Sequence, residues 1–243
     1  MLERRFKTMV YSDYKYDFSE KEKCWYKKIC DKSLCGEEFC IRHYKMDYLV
    51  YLAMLEGKQK YSIDLYPDRD DYSAYSRLKV IKDDIKTFVE DGKNILIYSK
   101  NTGNGKTEWS KKLLLSYLNS IWPVTELKCR ALFISMPKFV QAMKENISKE
   151  NEYYQYINSN VIDADLVIWD EINYKEWTQF ELDYMLNIIS QRLSIGKSNI
   201  YTTNYDLDTI TKKLGTRLAS RIVGGSELIE FVGKDQRNVG VSF

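Results

Sequence analysis

Eight residues from Lys100 to Thr107, KNTGNGKT, combine glycines, a lysine and a hydroxyl in a spacing that suits a triphosphate. Gly103 and Gly105 let backbone N–H groups approach an anion closely, and Lys106 adds a mobile positive charge. Thr107 supplies a hydroxyl for magnesium at the start of a predicted helix, whose N-terminal dipole also favours an anion. The pattern predicts a phosphate-binding loop whose cofactor contacts are Asn101, Thr102, Gly103, Asn104, Gly105, Lys106 and Thr107.

The loop departs from the usual pattern at its first position, where Lys100 replaces a glycine. Glycine adopts backbone conformations that residues with a side chain avoid, so this departure puts the affinity for ATP in question. The tripeptide GKT on its own also fits an ordinary helix N-terminus with a solvated lysine. The interpretation as a phosphate-binding loop therefore needs support from elsewhere in the chain.

That support comes from DADLVIWDEI, where a strand-like apolar run ends in Asp170 and Glu171. In this layout the first carboxylate supports a magnesium ion, and the second activates water for attack on the γ phosphate. The alternative is a surface turn after a buried strand, where both residue types are common. Together with the loop, the pair predicts ATP hydrolysis with Lys106, Asp170 and Glu171 as catalytic residues, and Thr107 and Asp170 as magnesium ligands.

Further along the chain, Asn204 follows the strand-like run 199–203, at the end of a sheet strand where ligands bind. We expect it to sense the γ phosphate, although a helix cap or a turn would also use an asparagine here. Arg217 and Arg221 are four residues apart and therefore share a helical face. An arginine that reaches a neighbouring subunit's nucleotide would stabilise transition-state charge, whereas the alternative is a solvated basic face.

The elements that must position these residues alternate between strands and helices. Strand-like apolar runs lie at 94–99, 131–135, 166–169 and 199–203, and helical segments separate them. An amphipathic helix is predicted at 75–90, before the first of these strands. Alternation of this kind predicts an α/β fold: a three-layer parallel sheet with helices on both faces.

The chain divides by composition into a small first module at 1–56, a polar linker at 57–74 and an α/β domain at 75–243. Lysine and arginine number 37 against 35 aspartates and glutamates, so no global positive field indicates nucleic-acid binding. The first residues lack the apolar stretch of a secretory signal, and the longest apolar run, at 48–55, is too short to cross a bilayer. We expect a cytoplasmic protein without a membrane partner.

The first module carries most of the cysteines and the only histidine of the chain. Four such ligands suffice for a structural zinc ion, and a module of this size needs extra stabilisation. Free buried cysteines and an iron–sulfur cluster are the alternatives. The candidate zinc ligands, of which four would be used, are Cys24, Cys30, Cys35, Cys40 and His43.

Several motifs in order resemble DnaC/DnaI-type helicase loaders of bacteria and phages. They are GNGKTEWSKKLL, ALFISMPKFVQAMKE, LVIWDEI, NIYTTNYDLDTITKKLGTRLASRI and GKDQR. The resemblance covers roughly the chain from Arg77 to Arg237. The resemblance implies an AAA+ ATPase of the IstB-like ATP-binding family that uses ATP and Mg²⁺. Its departures are Lys100 and Trp169, which stands where a smaller aliphatic residue is usual. The roles it implies are Lys106 and Thr107 in Walker A, Asp170 and Glu171 in Walker B, Asn204 as sensor 1, Arg221 as arginine finger and Arg237 as sensor 2.

The resemblance also implies a function: ATP-controlled delivery of a replicative helicase onto single-stranded DNA during DNA replication, by a homo-oligomer that binds the helicase through its amino-terminal domain. Some loaders of this type carry zinc in that domain. The alternatives are a non-hydrolysing nucleotide-binding adaptor and an IstB-type transposition helper ATPase. Candidate DNA contacts are Lys138, Lys144, Lys212, Lys213 and Arg217.

Overall fold

The computed structural model describes residues 40–55, 69–172 and 177–235 of the chain. Within these ranges all strand pairs are parallel, and the strand order is β2-β3-β4-β1-β5. The strands are β1 (Ile95–Tyr98), β2 (Ala131–Ser135), β3 (Leu166–Asp170), β4 (Ser198–Thr203) and β5 (Glu227–Glu230).

Helices cover both faces of this sheet, which confirms the predicted α/β architecture. The helices of the described part are α1 (Ile41–Leu52), α2 (Tyr72–Asp83), α3 (Ile85–Glu90), α4 (Lys106–Ile121), α5 (Met136–Ser148), α6 (Glu152–Asn160), α7 (Gln179–Ser194) and α8 (Leu207–Gly224). A short 3₁₀ turn, Arg69–Asp71, precedes α2. Helices α1 to α4 pack on one face and α5 to α8 on the other.

The two hydrophobic cores follow from the alternation of side chains along the strands. Ile95 and Ile97 of β1 point into the core with α1 to α4, whereas Leu96 between them joins the opposite core. All three are fully buried. Strands buried on both faces are mostly apolar, which is why β1 and residues 166–169 of β3 read as continuous apolar runs.

The observed elements differ from the predicted ones in three respects. The helix predicted at 75–90 is two helices, because Asp84 between α2 and α3 has a φ of −120° and a ψ of 33°. Gly215 interrupts α8 with a φ of 74° and a ψ of 157°, a backbone conformation open to glycine. The sequence reading also missed β5 and α6.

Helix α1, which the sequence assigns to the first module, packs on the α/β core. Met46, Leu49 and Val50 lie in the same hydrophobic cluster as the residues of α4. The Ala53 carbonyl accepts a hydrogen bond from the Phe133 amide of β2 at 2.8 Å. The division at 57–74 stays a prediction, because residues 1–39 and 56–68 lie outside the described ranges. No helix in the described ranges is long and apolar enough to span a membrane.

A buried arginine donates hydrogen bonds to several segments around the second core. Arg192 of α7 is fully buried, and its guanidinium donates to the carbonyls of Val161 (2.5 Å), Ala164 (2.7 Å) and Ser198 (2.6 Å) and to Oδ1 of Asn199 (2.7 Å). Burial lowers the pKa of Arg192 to about 10, so the side chain stays protonated at neutral pH.

Asn199 also accounts for Trp169, which stands where a smaller aliphatic residue is usual. The indole of this fully buried residue donates from Nε1 to Asn199 Oδ1 at 3.0 Å. A polar partner on the neighbouring strand therefore satisfies the buried N–H of the large side chain.

Candidate nucleotide site

The predicted phosphate loop connects β1 to α4 at the carboxyl edge of the sheet. Gly103 and Gly105 have φ values of 71° and 95°, which accounts for glycine at both positions. The buried Ser99 hydroxyl accepts hydrogen bonds from the Asn101 amide (2.9 Å) and from Nδ2 of Asn104 (2.7 Å). One hydroxyl at the end of β1 therefore supports the curve of the loop.

Lys106 is held at this loop although it is the first residue of α4. Its side chain is buried, and Nζ donates to the Asn101 carbonyl at 2.8 Å and to Oδ1 of Asn104 at 3.0 Å. A lysine restrained in this way places its positive charge at the loop, as phosphate binding requires.

A hydrogen bond joins the loop to the acidic strand: Thr107 Oγ1 donates to Oδ1 of Asp170 at 2.9 Å. The structure thus brings together the two predicted magnesium ligands, although they are separated by 63 residues. Burial raises the pKa of Asp170, while hydrogen bonds from Thr202 and Thr107 favour its ionised form. A hydroxyl and a carboxylate are oxygen ligands of the kind Mg²⁺ prefers, so these residues fit the ion.

Glu171 follows immediately, is exposed, and has a φ of 59°. Left-handed backbone at a residue with a side chain is strained and clusters at functional sites. The Glu171 amide donates to Oγ1 of Thr202 in β4 at 3.0 Å. Thr202 is a site residue that the sequence reading missed.

Asn204 lies directly after β4, and Arg221 lies near the end of α8; both are half-buried. Because β4 is between β1 and β3, Asn204 lies at the sheet edge that also carries the loop and the acidic pair. Nη1 of Arg221 donates to the Arg217 carbonyl at 3.2 Å.

Lys100, the departure at the first loop position, is accommodated without backbone strain. Among the described residues other than glycine, only Met54 and Glu171 have a positive φ. The Lys100 ammonium lies 3.1 Å from Oδ2 of Asp206, the residue that caps the N-terminus of α8. Hydrogen bonds from Thr209 and this ion pair lower the pKa of Asp206 to about 2.

Two aspartates not foreseen from the sequence contact the loop or its surroundings. The buried Asp71 accepts hydrogen bonds from the amides of Val232 (2.6 Å) and Gly233 (3.0 Å), whose carbonyls accept from Asn101 Nδ2. The carboxylate of Asp235 packs against Gly103, where a Cβ would lie 1.8 Å from Oδ1. The segment after β5 is therefore attached to the phosphate loop. Arg237, the predicted sensor 2, lies outside the described residues.

Of the candidate zinc ligands, the structure describes Cys40 and His43. Both are buried at the start of α1, in its first turn, so they lie close together on the chain. Cys24, Cys30 and Cys35 fall outside the described ranges, and within those ranges no group of three potential metal ligands occurs. The zinc site therefore stays a prediction.

The candidate DNA contacts differ in their surroundings. Lys212, Lys213 and Arg217 are exposed on α8. The ammonium of Lys138 lies 4.3 Å from the centre of the Tyr153 ring, and that of Lys144 pairs with the buried carboxylate of Glu181 at 3.2 Å. Lys144 therefore has a structural role within the described part.

Comparison with known proteins adds to this geometry. A scan against protein-family models and a search of curated proteins give no match. Among solved structures, the DnaC helicase loader matches with a TM-score of 0.56 at 18% identity over 68% of this chain and 93% of that chain. The chain shares the parallel α/β P-loop fold of this structure.

Two further solved structures share this fold. DnaI matches with a TM-score of 0.51 at 20% identity over 72% of this chain and 88% of that chain. DnaA from Aquifex aeolicus bound to AMPPCP matches with a TM-score of 0.51 at 21% identity, over 68% of this chain and 48% of that chain. The α/β fold that the sequence motifs predict is thus also the fold of these solved structures.

Proposed function

We propose that this AAA+ protein hydrolyses ATP and couples nucleotide state to the loading of a replicative helicase onto single-stranded DNA. The observation that carries the ATPase proposal is the 2.9 Å hydrogen bond between Thr107 and Asp170, which joins the phosphate loop to the acidic strand. The loader proposal is supported by the ordered motifs and by the likeness of fold to the DnaC helicase loader and to DnaI.

Each site residue has a distinct task in this proposal. Thr107 and Asp170 would hold a magnesium ion, which would supply positive charge against the phosphates. Lys106 binds the same phosphates from the loop, and Asn204 contacts the γ phosphate from the neighbouring strand end. Glu171 orients the attacking water and accepts its proton. The chain thus has a group for positioning, for charge stabilisation and for proton transfer.

The alternative function, a non-hydrolysing adaptor, depends on Lys100 disturbing the loop at a position where glycine is usual. Because Lys100 lacks a positive φ and pairs with Asp206, the loop does not need a glycine at this position. Glu171 also favours hydrolysis, since a base is not needed merely to hold a nucleotide.

In the loader proposal, Arg221 acts on the nucleotide of a neighbouring copy, so that hydrolysis requires a homo-oligomer. The helicase binds through the first module, 1–56, and single-stranded DNA contacts the exposed cations Lys212, Lys213 and Arg217. An IstB-type transposition helper would share the ATPase core. Binding of a purified replicative helicase, measured by gel filtration, separates the two, because a transposition helper would not retain it.

The direct test is ATP turnover with and without single-stranded DNA. We expect steady hydrolysis by the wild type, no measurable hydrolysis by Lys106→Ala, and a fall of about 10³-fold for Arg221→Ala. Lys106→Ala removes a phosphate contact, so its ATP affinity should also fall, whereas Arg221→Ala should bind ATP as the wild type does. Phosphate release and the binding of a fluorescent ATP analogue measure the two quantities.

The double variant Lys212→Ala/Lys213→Ala tests the DNA contact through its affinity for single-stranded DNA. Lys79→Ala, which removes an exposed cation from α2, is its control. Only the double variant should bind single-stranded DNA more weakly than the wild type.

A wild type that binds ATP tightly without turning it over would overturn the ATPase proposal in favour of the adaptor.

We further propose a structural zinc ion in the first module, held by four of Cys24, Cys30, Cys35, Cys40 and His43. The buried positions of Cys40 and His43 in one helical turn support a shared metal.

Elemental analysis should find one zinc ion per chain, and chelation should lower the unfolding temperature because metal binding contributes to folding. Cys40→Ser should lose the zinc. Cys129→Ser is the control, since the Cys129 thiol contacts the Leu52 and Ala131 carbonyls instead. Iron with visible absorbance, or no metal at all, would refute a zinc site.

A further inference from the structure

The hydroxyl of Thr202 lies between the two residues of the acidic pair. Oγ1 donates to Oδ1 of Asp170 at 2.7 Å and accepts from the Glu171 amide at 3.0 Å. Thr202 is 1% exposed, so water does not compete for these bonds. A single buried hydroxyl therefore contacts the carboxylate of one acidic residue and the backbone of the next.

These contacts hold a strained turn in place. Glu171 has a φ of 59°, and left-handed backbone at such a residue persists only when its surroundings enforce it. The Thr202 carbonyl also accepts from the Ile172 amide at 3.0 Å. Thr202 thus binds two successive amides of the turn, and the direction of the Glu171 side chain depends on that turn.

The orientation of Asp170 depends on the same hydroxyl. Oδ1 accepts from Thr202 at 2.7 Å and from Thr107 at 2.9 Å. Thr107 belongs to the phosphate loop and is itself a candidate metal ligand, so its hydroxyl has two tasks. Thr202 contacts Asp170 from the side of the sheet and has no other acidic partner among the described residues.

Thr202 also connects the acidic pair to the predicted sensor. Asn204 is two residues further along the chain, just past the end of β4.

We infer that Thr202 is a positioning residue for ATP hydrolysis, which holds the Asp170 carboxylate towards the magnesium ion and the Glu171 side chain towards the attacking water. The inference rests on the proposed ATPase function. The hydroxyl is the part that matters, because a methyl group of the same size cannot make either bond.

The test compares Thr202→Val, which removes the hydroxyl at nearly constant volume, with Thr202→Ser, which keeps it. Thr203→Val is the matched control, since Thr203 is equally buried on the same strand but accepts from the Tyr205 amide. We expect kcat to fall about 100-fold in Thr202→Val, because misplaced catalytic groups cost about this factor. Thr202→Ser and Thr203→Val should stay within about 3-fold of the wild type.

A second readout does not depend on turnover. The affinity for ATP is measured with magnesium and with a chelator, and the ratio of the two dissociation constants is compared between variants. Thr202→Val should lose most of the gain in affinity that magnesium provides, while its affinity without metal stays unchanged. A threonine that only fills space would leave this ratio unaltered.

The possible results distinguish failure of the inference from failure of the proposed function. Equal impairment of Thr202→Ser and Thr202→Val, or an unaltered magnesium ratio in Thr202→Val, overturns the inference. If the wild type binds ATP but does not hydrolyse it, the proposed function fails, and the magnesium ratio still decides the role of Thr202. A wild type that binds no ATP refutes both. Should Thr202→Val not fold, Thr202→Ala, which adds no bulk, takes its place.

Discussion

Replacing Glu171 with glutamine should lower kcat for ATP hydrolysis by about 100-fold or more while leaving the affinity for ATP nearly unchanged. Glutamine keeps the shape of the side chain but cannot accept the proton of the attacking water, and general-base catalysis contributes about 10²- to 10⁴-fold. Because Glu171 is exposed, the substitution leaves no buried group unpaired. Steady-state phosphate release and equilibrium binding of an ATP analogue measure the two effects.

Glu152→Gln is the matched control for this substitution. Glu152 is an exposed glutamate in the first turn of α6, away from the acidic strand, and its variant should retain wild-type turnover. If Glu171→Gln kept more than about a tenth of the wild-type kcat, the role of Glu171 as the base would be wrong.

Replacing Arg192 with methionine should lower the free energy of unfolding by about 4 kcal/mol, since several buried acceptors lose their donor at once. The guanidinium contacts four carbonyls and the Asn199 amide oxygen, and no water replaces it in a fully buried position. The loss is a large part of the total stability of an ordinary domain. Urea denaturation followed by circular dichroism measures the change.

Arg217→Met, at an exposed position of α8, is the control and should change stability by less than about 0.5 kcal/mol. Arg192→Lys should be intermediate, because one ammonium cannot reach all the acceptors that a planar guanidinium reaches. A fall of less than about 1 kcal/mol in Arg192→Met would show that the site rearranges to satisfy its carbonyls.

The phosphate loop and the acidic pair could be predicted because each is a short contiguous motif whose residue types carry the chemistry. The strand β2 was predicted at its observed bounds for a related reason, since a buried parallel strand is a distinct apolar run. The edge strand β5 was missed because Glu227 and Glu230 enclose only two apolar residues.

Thr202 could not be predicted in the same way, because its role depends on the register of two strands. Trp169 pairs with Tyr201, and one residue further along each strand Asp170 meets Thr202. The sequence alone leaves this alignment open. Asp71 and Asp235 are likewise brought to the loop from distant parts of the chain, so only the tertiary structure reveals them.

The outer edge of β5 has a consequence for how copies of this chain can meet. In the described part, β5 pairs with β1 on one side only, and an open edge can recruit a strand from another molecule. Glu230 and Glu227, the latter paired with Arg77, place carboxylates along this edge. Two such edges brought together would set these charges against each other, which discourages aggregation by strand addition.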